Sequence, residues 1–265
     1  MKFRTEIEVP PSPWQIAYSD SIALLGSCFS DNIARKLNEY YFQILTAADK
    51  RPLYNPVSIA HHIDDSVYID ANVIIVTFGT SWVYIDKQTD TVVDNCLKRP
   101  ASDFIRKRLT VEEIVALWQP ILASHPGKRF IFTVSPIRHL KDGLHENNLS
   151  KAILLLAVER LTKASADSQV LYFPSYELLM DDLRDYRFYA EDLMHPSSVA
   201  VDYIWEHFVT TFMSPETQTE MKDLHALWLN RQHRPLHPGS DEDLAFRSMV
   251  EKQLASFQAR YPWIK

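Results

Sequence analysis

The most regular feature of the sequence is an alternation between short apolar runs and longer amphipathic segments. Continuous apolar or β-branched runs predict strands of a parallel sheet, because such strands are buried on both faces. The predicted strands are Ile22–Leu25, Phe42–Thr46, Val73–Phe78, Arg129–Val134 and Val170–Phe173. Parallel strands need long crossover connections, and the segments between these runs are long enough to supply them.

Those connecting segments repeat apolar residues at helical spacing. The predicted helices are Asp31–Tyr41, Val57–Ile63, Thr110–Leu122, Asn148–Ala164 and a helix that Pro196 opens and that runs through Phe208. The second of them follows Asn55 and Pro56, a favoured N-cap residue and a favoured first helical residue. Alternating strands and helices predict an α/β fold with three layers, in which helices cover both faces of a central parallel sheet.

One insertion interrupts this alternation. Trp82–Ile85 and Thr91–Val93 flank the polar segment Asp86–Asp90, and this pattern predicts a β-hairpin after the third strand.

The chain changes character after residue 212. Glu216–Leu229 predicts a helix, and Ser240 with Asp243 forms a capping box before a second amphipathic helix. We therefore expect a main domain over 1–212 and a C-terminal helical extension over 213–265. The extension is expected to pack on the main domain, with a lid or a homodimer contact as the alternative.

Composition narrows the classes of function. The chain has a formal net charge of −6, so no basic field favours nucleic acid or an anionic membrane as partner. No apolar run approaches the roughly 18 residues that a membrane span needs. The first residues lead into prolines rather than an apolar stretch, and two cysteines make no disulfide framework. We expect a cytoplasmic, reduced protein.

The candidate chemistry lies at the ends of predicted strands. Ser27 and Cys28 follow the first strand, and Asp192 lies three residues before His195. A carboxylate at that spacing can orient an imidazole and stabilise its charge, and the imidazole can activate a serine or cysteine for acyl transfer. Because the carboxyl ends of parallel strands share one edge of the sheet, these segments are expected to converge there.

These segments resemble the GSCFA family, a bacterial branch of the SGNH/GDSL hydrolases. Leu25–Ser30 matches the motif that gives the family its name, except that Ser30 stands in place of alanine. Ser135–His139, Asp142–Asn148 and Asp185–His195 also resemble that family. The resemblance covers about the first four-fifths of the chain. It implies a flavodoxin-like SGNH hydrolase fold, with His195 as general base and Asp192 as the residue that orients it.

The resemblance leaves two candidate nucleophiles. Alignment with the Gly-Asp-Ser motif of the superfamily places Cys28 on the nucleophilic serine and Ser27 on the aspartate. A cysteine that opens a helix also lies at the positive end of the helix dipole, which favours the thiolate. We therefore favour Cys28, with Ser27 as the alternative. In a purely structural interpretation Cys28 fills the core and Ser27 caps the helix.

The oxyanion-binding residues depart from the superfamily pattern. No glycine lies between Gly26 and Gly79, and Ser81 stands where that pattern has asparagine. Gly79 and Ser81 are retained as candidate oxyanion donors. Asn55 is a candidate replacement for the missing donor, although it is equally suited to capping the next helix.

Arg138 and His139 follow the fourth strand. Arg138 can bind a carboxylate or phosphate of the substrate, or pair with Asp142 or Glu146 as part of the fold. His139 can supply a missing hydrogen-bond donor. The pair His61–His62 is not taken as a metal site, because adjacent helical residues point apart and no third ligand follows at suitable spacing.

The sequence therefore predicts an esterase or thioesterase that works through a covalent acyl-enzyme, without metal or organic cofactor. The expected substrate is an acyl ester of a small molecule or carbohydrate. Two alternatives stay open: an acyltransferase that acts on a carbohydrate, and a catalytically silent binding protein with the same fold.

Overall fold

The computed structural model describes residues 4–45, 53–165 and 169–265. The strands are β1 (Ser21–Gly26), β2 (Gln43–Leu45), β3 (Val73–Phe78), β4 (Trp82–Asp86), β5 (Thr91–Val93), β6 (Phe104–Arg108), β7 (Arg129–Val134) and β8 (Val170–Phe173). Within the described residues, five strands form a parallel sheet in the order β2-β1-β3-β7-β8. The second strand was predicted to reach Thr46, which lies outside the described residues.

Helices connect the strands and complete the chain. They are α1 (Cys28–Glu39), α2 (Pro56–Ala60), α3 (Ser66–Ile69), α4 (Val111–Ser124), α5 (Gly143–Ala164), α6 (Ser175–Glu177), α7 (Ser198–Phe212), α8 (Pro215–Gln232) and α9 (Asp241–Arg260). Short 3₁₀ segments occur at Ala101–Asp103, Leu140–Asp142 and Tyr186–Phe188, and α6 continues as a π-helix over Leu178–Leu183.

The sheet has a hydrophobic core on each face. In β3, Val73 and Ile75 belong to one core, and Ile74 and Val76 belong to the other. Helices α1, α7 and α8 supply side chains to the first core, and α2, α4 and α5 supply side chains to the second. The three-layer α/β fold predicted from the sequence is confirmed, because alternate strand residues are buried on opposite faces.

Three helices begin two or more residues away from the predicted start. Helix α1 begins at Cys28, before the predicted Asp31, because Ser27 already caps it. Helix α5 begins at Gly143, well before the predicted Asn148. Helix α7 begins at Ser198 rather than at Pro196, because Ser197 accepts a hydrogen bond from the N–H of Ala200. Pro196 instead forms an antiparallel bridge with Tyr189.

The predicted hairpin is part of a three-stranded antiparallel sheet with the order β5-β4-β6. Sequence reasoning missed β6 because three of its five residues are basic. Two of those residues form ion pairs with the start of α5: Arg106 with Asp142, and Arg108 with Glu146 at 2.6 Å. These pairs hold the small sheet against the main domain.

The C-terminal helices pack on the first core. Met221 and Leu224 of α8 belong to that core, and Leu254 and Phe257 of α9 pack against it. The indole N–H of Trp263 donates to the carbonyl of Tyr41 at 3.0 Å. The division into two domains and the homodimer contact stay predictions. Among the described residues, no helix is both long enough and apolar enough to cross a membrane.

Strands β1 and β3 approach each other closely at Gly26. The φ angle of Gly26 is +134°, a conformation that L side chains rarely adopt. A Cβ atom at this position would lie 2.1 Å from the carbonyl oxygen of Thr77. The end of β1 therefore requires glycine.

A buried lysine joins the ends of β3 and β7. Lys151, on α5, is 1% exposed, and its Nζ donates to the carbonyls of Gly79 and Ser135, each at 2.6 Å. Burial lowers the pKa of Lys151 from its ordinary value of 10.5 to about 7. The Gly79 N–H in turn donates to the carbonyl of Tyr54 at 2.8 Å, so the loop after β2 is tied to the same point.

We expect Gly26→Ala to lower the free energy of unfolding by about 3 kcal/mol, because both the φ angle and the close carbonyl oppose a side chain. Gly127→Ala is the control, since Gly127 also has a positive φ of +81° but no atom within 4 Å of an added Cβ. It should lose only about 1 kcal/mol in urea unfolding. Equal losses for the two variants would contradict the close approach at Gly26.

We expect Lys151→Met to flatten the pH dependence of stability above neutrality. Between its folded pKa of about 7 and its unfolded value of 10.5, Lys151 binds more protons in the unfolded chain, so its contribution raises stability as pH rises. The melting temperature at pH 7 and pH 10 measures this rise, which the variant should lack. Lys163→Met, at an exposed site on the same helix, should keep it. Parallel pH profiles for all three proteins would contradict the account.

Candidate active site

A cleft of about 570 Å³ lies at the carboxyl edge of the main sheet. Its lining residues lie in the segments after β1, β2, β3 and β7 and in the loop before α7. The predicted site residues that line it are Ser27, Cys28, Asn55, Arg138, His139 and His195. The structure therefore brings candidates that are far apart in sequence to one place.

Ser27 and Cys28 have different surroundings at the end of β1. Ser27 is 2% exposed, and its hydroxyl accepts a hydrogen bond from the N–H of Phe29 at 3.4 Å, which caps α1. Cys28 is the first residue of α1 and is half-buried. Its N–H has no acceptor in the described part of the chain, as is usual in the first turn of a helix. Cys28 thus offers both a thiol and a free N–H.

The Cys28 thiol lies near the hydroxyl of Tyr54, with 3.8 Å between Sγ and Oη. Burial, followed by the neighbouring thiol, raises the pKa of Tyr54 to about 12. The hydroxyl therefore stays protonated at neutral pH and can donate a hydrogen bond to the sulfur.

Asp192 and His195 form a hydrogen-bonded pair. The Nδ1 atom of His195 lies 2.6 Å from Oδ2 of Asp192, and Oδ1 of Asp192 accepts from the N–H groups of Met194 and His195, each at 2.9 Å. These backbone donors, with the imidazole, lower the pKa of Asp192 to about 2. An ionised Asp192 favours a proton on Nδ1 of His195, which leaves Nε2 free to accept one.

The loop that carries this pair is fixed by backbone contacts. Leu193 has a φ of +57°, and this turn allows the two N–H groups after it to reach the Asp192 carboxylate. The Arg138 N–H donates to the carbonyl of Met194 at 3.2 Å, which links the loop to the segment after β7. His195 and Asp192 stay partly open to solvent, with side chains 42% and 39% exposed.

No hydrogen bond joins His195 to Ser27 or Cys28 among the described residues. The imidazole and the two candidate nucleophiles line the same cleft. Catalytic hydrogen bonds are often long in a site without substrate, so this spacing is compatible with catalysis.

Two predicted oxyanion donors are unsuitable. The N–H of Gly79 is bound to the Tyr54 carbonyl, and its own carbonyl accepts from Lys151. Ser81 is fully buried, and its hydroxyl donates to the hydroxyl of Ser150 at 3.1 Å. Neither residue lines the cleft, because both are held by partners from other segments.

Asn55 is both a helix cap and a cleft residue. Its Oδ1 accepts from the N–H groups of Val57 and Ser58, at 3.0 and 2.9 Å. This fixes the orientation of the amide, so Nδ2 is the free end, and it has no partner among the described residues. The two interpretations of Asn55 are therefore compatible.

His139 lies against the ends of β3 and α5. Burial, and then the charge of Lys151, lowers the pKa of His139 to about 4, so the ring is neutral at physiological pH. Its Nε2 is buried and has no hydrogen-bond partner in the described residues. It is 3.4 Å from where a Cβ on Gly79 would lie, so a larger residue there would crowd the ring.

Arg138 does not pair with either of its predicted carboxylate partners. Asp142 and Glu146 pair with Arg106 and Arg108 of β6. The Arg138 guanidinium instead stacks on tyrosine rings near the histidine loop.

Sequence reasoning missed one wall of the cleft and two polar groups. The wall is the inserted sheet, which presents Trp82, Tyr84 and Phe104 with arginines stacked on them. Tyr54 is not part of a recognisable motif, so the sequence did not point to it. Lys151 carried a signal, since it lies on the apolar face of α5, three residues before buried Leu154, where a lysine is unexpected.

The histidines of the rejected metal pair converge on one carboxylate. His61 and His62 contact the two oxygens of Asp94 at 2.8 and 2.9 Å, so they do not point apart as expected. Within the described residues, no group of three or more histidine, cysteine or acidic side chains could hold a metal ion.

Several solved structures resemble this one at low sequence identity. A catalytic mutant of an acetylxylan esterase from Geobacillus stearothermophilus is 11% identical, with a TM-score of 0.48, over 74% of this chain and 95% of that chain. A GDSL-like lipase from Bacteroides thetaiotaomicron is 12% identical, with a TM-score of 0.42, over 78% of this chain and 91% of that chain. A carbohydrate esterase family 3 protein from Talaromyces cellulolyticus is 12% identical, with a TM-score of 0.39, over 77% and 99%.

A search among curated proteins finds no match. The model of the GSCFA family matches residues 21–69 and 65–208. Because these ranges span more than half of the chain, and include both the Ser27–Cys28 segment and the histidine loop, the protein belongs to the GSCFA family.

Proposed function

We propose that this protein hydrolyses an acyl ester or thioester through a covalent acyl-enzyme, with Cys28 as nucleophile. The observation that carries the proposal is the 2.6 Å contact between Asp192 and His195, because it orients an imidazole that lines the same cleft as Cys28. An oriented base beside a nucleophile at a helix N-terminus is the arrangement that acyl transfer requires.

Cys28 is preferred to Ser27 because of what each side chain already does. The Ser27 hydroxyl is bound to the N–H of Phe29 and is almost fully buried. Cys28 is more open to the cleft and lies in the first turn of α1, where the helix dipole favours a thiolate.

The oxyanion can be bound by two donors from different segments. One is the N–H of Cys28, which has no acceptor in the described chain, and the other is Nδ2 of Asn55. In hydrolases, one such donor contributes about 3–4 kcal/mol to the stability of the transition state.

The proposed reaction has two halves. Nε2 of His195 takes the thiol proton, Sγ of Cys28 forms a bond to the acyl carbon, and the alcohol or thiol leaves with the proton from His195. A water molecule then loses its proton to His195 and attacks the thioester. The acid departs, and Cys28 regains its proton.

The test is the turnover of short nitrophenyl esters and acyl thioesters by a panel of variants. We expect Cys28→Ala, His195→Ala and Asp192→Asn to lower kcat by about a thousandfold or more, because members of such a unit act together. Ser27→Ala should stay within about tenfold of the intact protein, with a loss of about 1 kcal/mol in stability from the missing cap.

Asp185→Asn is the matched control for Asp192→Asn. Asp185 also accepts a backbone N–H within its own turn, from Arg187 at 2.9 Å, but its carboxylate pairs with the side chain of Arg187 and not with His195. It should leave turnover unchanged. Loss of activity with Ser27→Ala but not with Cys28→Ala would make serine the nucleophile. Absence of turnover by the intact protein would favour the silent binding protein.

A further inference from the structure

Arg138 is a cation in the cleft that lacks an anion. Its guanidinium lies 4.0 Å from the ring centre of Tyr189 and 5.0 Å from that of Tyr186. It forms no ion pair with a carboxylate in the described part of the chain, although the whole chain is acidic. The two rings hold the guanidinium, and a guanidinium has five N–H donors with which it can bind a ligand.

Most of the other charged side chains that line the cleft are paired with an opposite charge. Arg106 is bound to Asp142, and Arg99 is bound to Asp86 at 2.5 Å. Asp94 is held between two histidines. The remaining lining cation is Lys141, whose Nζ donates to the hydroxyl of Tyr84 at 3.0 Å and has no carboxylate partner among the described residues.

The two unpaired cations belong to one segment, between β7 and α5, and the segment is attached to the catalytic loop. The N–H of Arg138 donates to the carbonyl of Met194, the neighbour of His195. A ligand bound by Arg138 would therefore lie at a fixed position relative to His195. Focused positive charge in a cleft of an acidic protein attracts anionic ligands.

We propose that the substrate carries an anionic group, a carboxylate or a phosphate, which Arg138 binds and Lys141 attracts. The reaction in this inference is the proposed acyl transfer, so that part rests on the proposed function. The binding of the anion does not rest on it. A guanidinium binds either group through two parallel hydrogen bonds, so both are included.

The first test compares charged and neutral esters of matched size. Nitrophenyl hemiglutarate and nitrophenyl valerate place the charge on the acyl side, and 4-acetoxybenzoate and its methyl ester place it on the leaving group. In at least one of the two pairs, we expect kcat/KM for the charged ester to exceed that for the neutral ester by about tenfold or more. High salt should reduce the preference by screening.

Arg138→Gln should remove this preference, so it should lower kcat/KM for the charged ester about tenfold more than for the neutral one. Arg138→Lys should keep part of it, because the charge remains. Arg187→Gln is the matched control, since Arg187 stacks on Phe188 at 5.1 Å but does not line the cleft. The inference is overturned if the neutral member is preferred in both pairs, or if Arg138→Gln slows both members equally.

The second test needs no catalysis. Calorimetry with glutarate and with inorganic phosphate, on the intact protein, should show binding of at least one of them at millimolar concentration. Arg138→Gln should weaken it about tenfold or more, and Arg187→Gln should not change it. Binding of only one anion tells carboxylate from phosphate.

The two tests separate the proposals. Anion binding without turnover of any ester would keep this inference and contradict the acyl-transfer function. Turnover of neutral esters without binding of either anion would keep the function and overturn this inference.

Discussion

One buried lysine side chain, that of Lys151, joins the ends of β3 and β7 beside the cleft. Lys151 donates to the carbonyls of Gly79 and Ser135, the residues that follow two central strands, and no carboxylate accompanies it in the described structure. Burial of an unpaired cation is unfavourable, so the two carbonyls must be held firmly enough to offset it in part. The same carbonyl–ammonium contact fixes Gly79, which binds Tyr54, which in turn lies beside the Cys28 thiol. The position of the proposed nucleophile thus depends on a residue that does not line the cleft.

The sequence predicted the parts of the fold that depend on local pattern. The strands and most helices follow from apolar periodicity, and the Asp192–His195 pair follows from spacing within one loop. It could not predict β6 or the start of α5, because these depend on ion pairs between segments far apart in the chain. The superfamily pattern led to Gly79 and Ser81 as candidate donors. The sequence could not show that both are occupied, because their partners, Tyr54 and Ser150, come from other elements.

The proposed oxyanion site is weak, and the cleft around it contains several charged side chains. The two proposed donors are one backbone N–H and one asparagine amide, and both come from helix starts. A cysteine compensates in part, since a thiolate forms more readily than an alkoxide and attacks without full help from a base. The protein is acidic, yet two cations of its cleft have no carboxylate partner in the described part of the chain. The proposed charge selection of the substrate and the proposed cysteine chemistry are therefore compatible in one site.

The central claim is that Cys28 carries the acyl group during the reaction. The direct test is a rapid acid quench of the intact protein with nitrophenyl acetate, followed by peptide mapping by mass spectrometry. If Cys28 is the nucleophile, one acetyl group should be found on Cys28. Neutral hydroxylamine should remove it, as it removes thioesters. A hydroxylamine-resistant acetyl group on Ser27, or an unmodified peptide while the ester is being turned over, would contradict it.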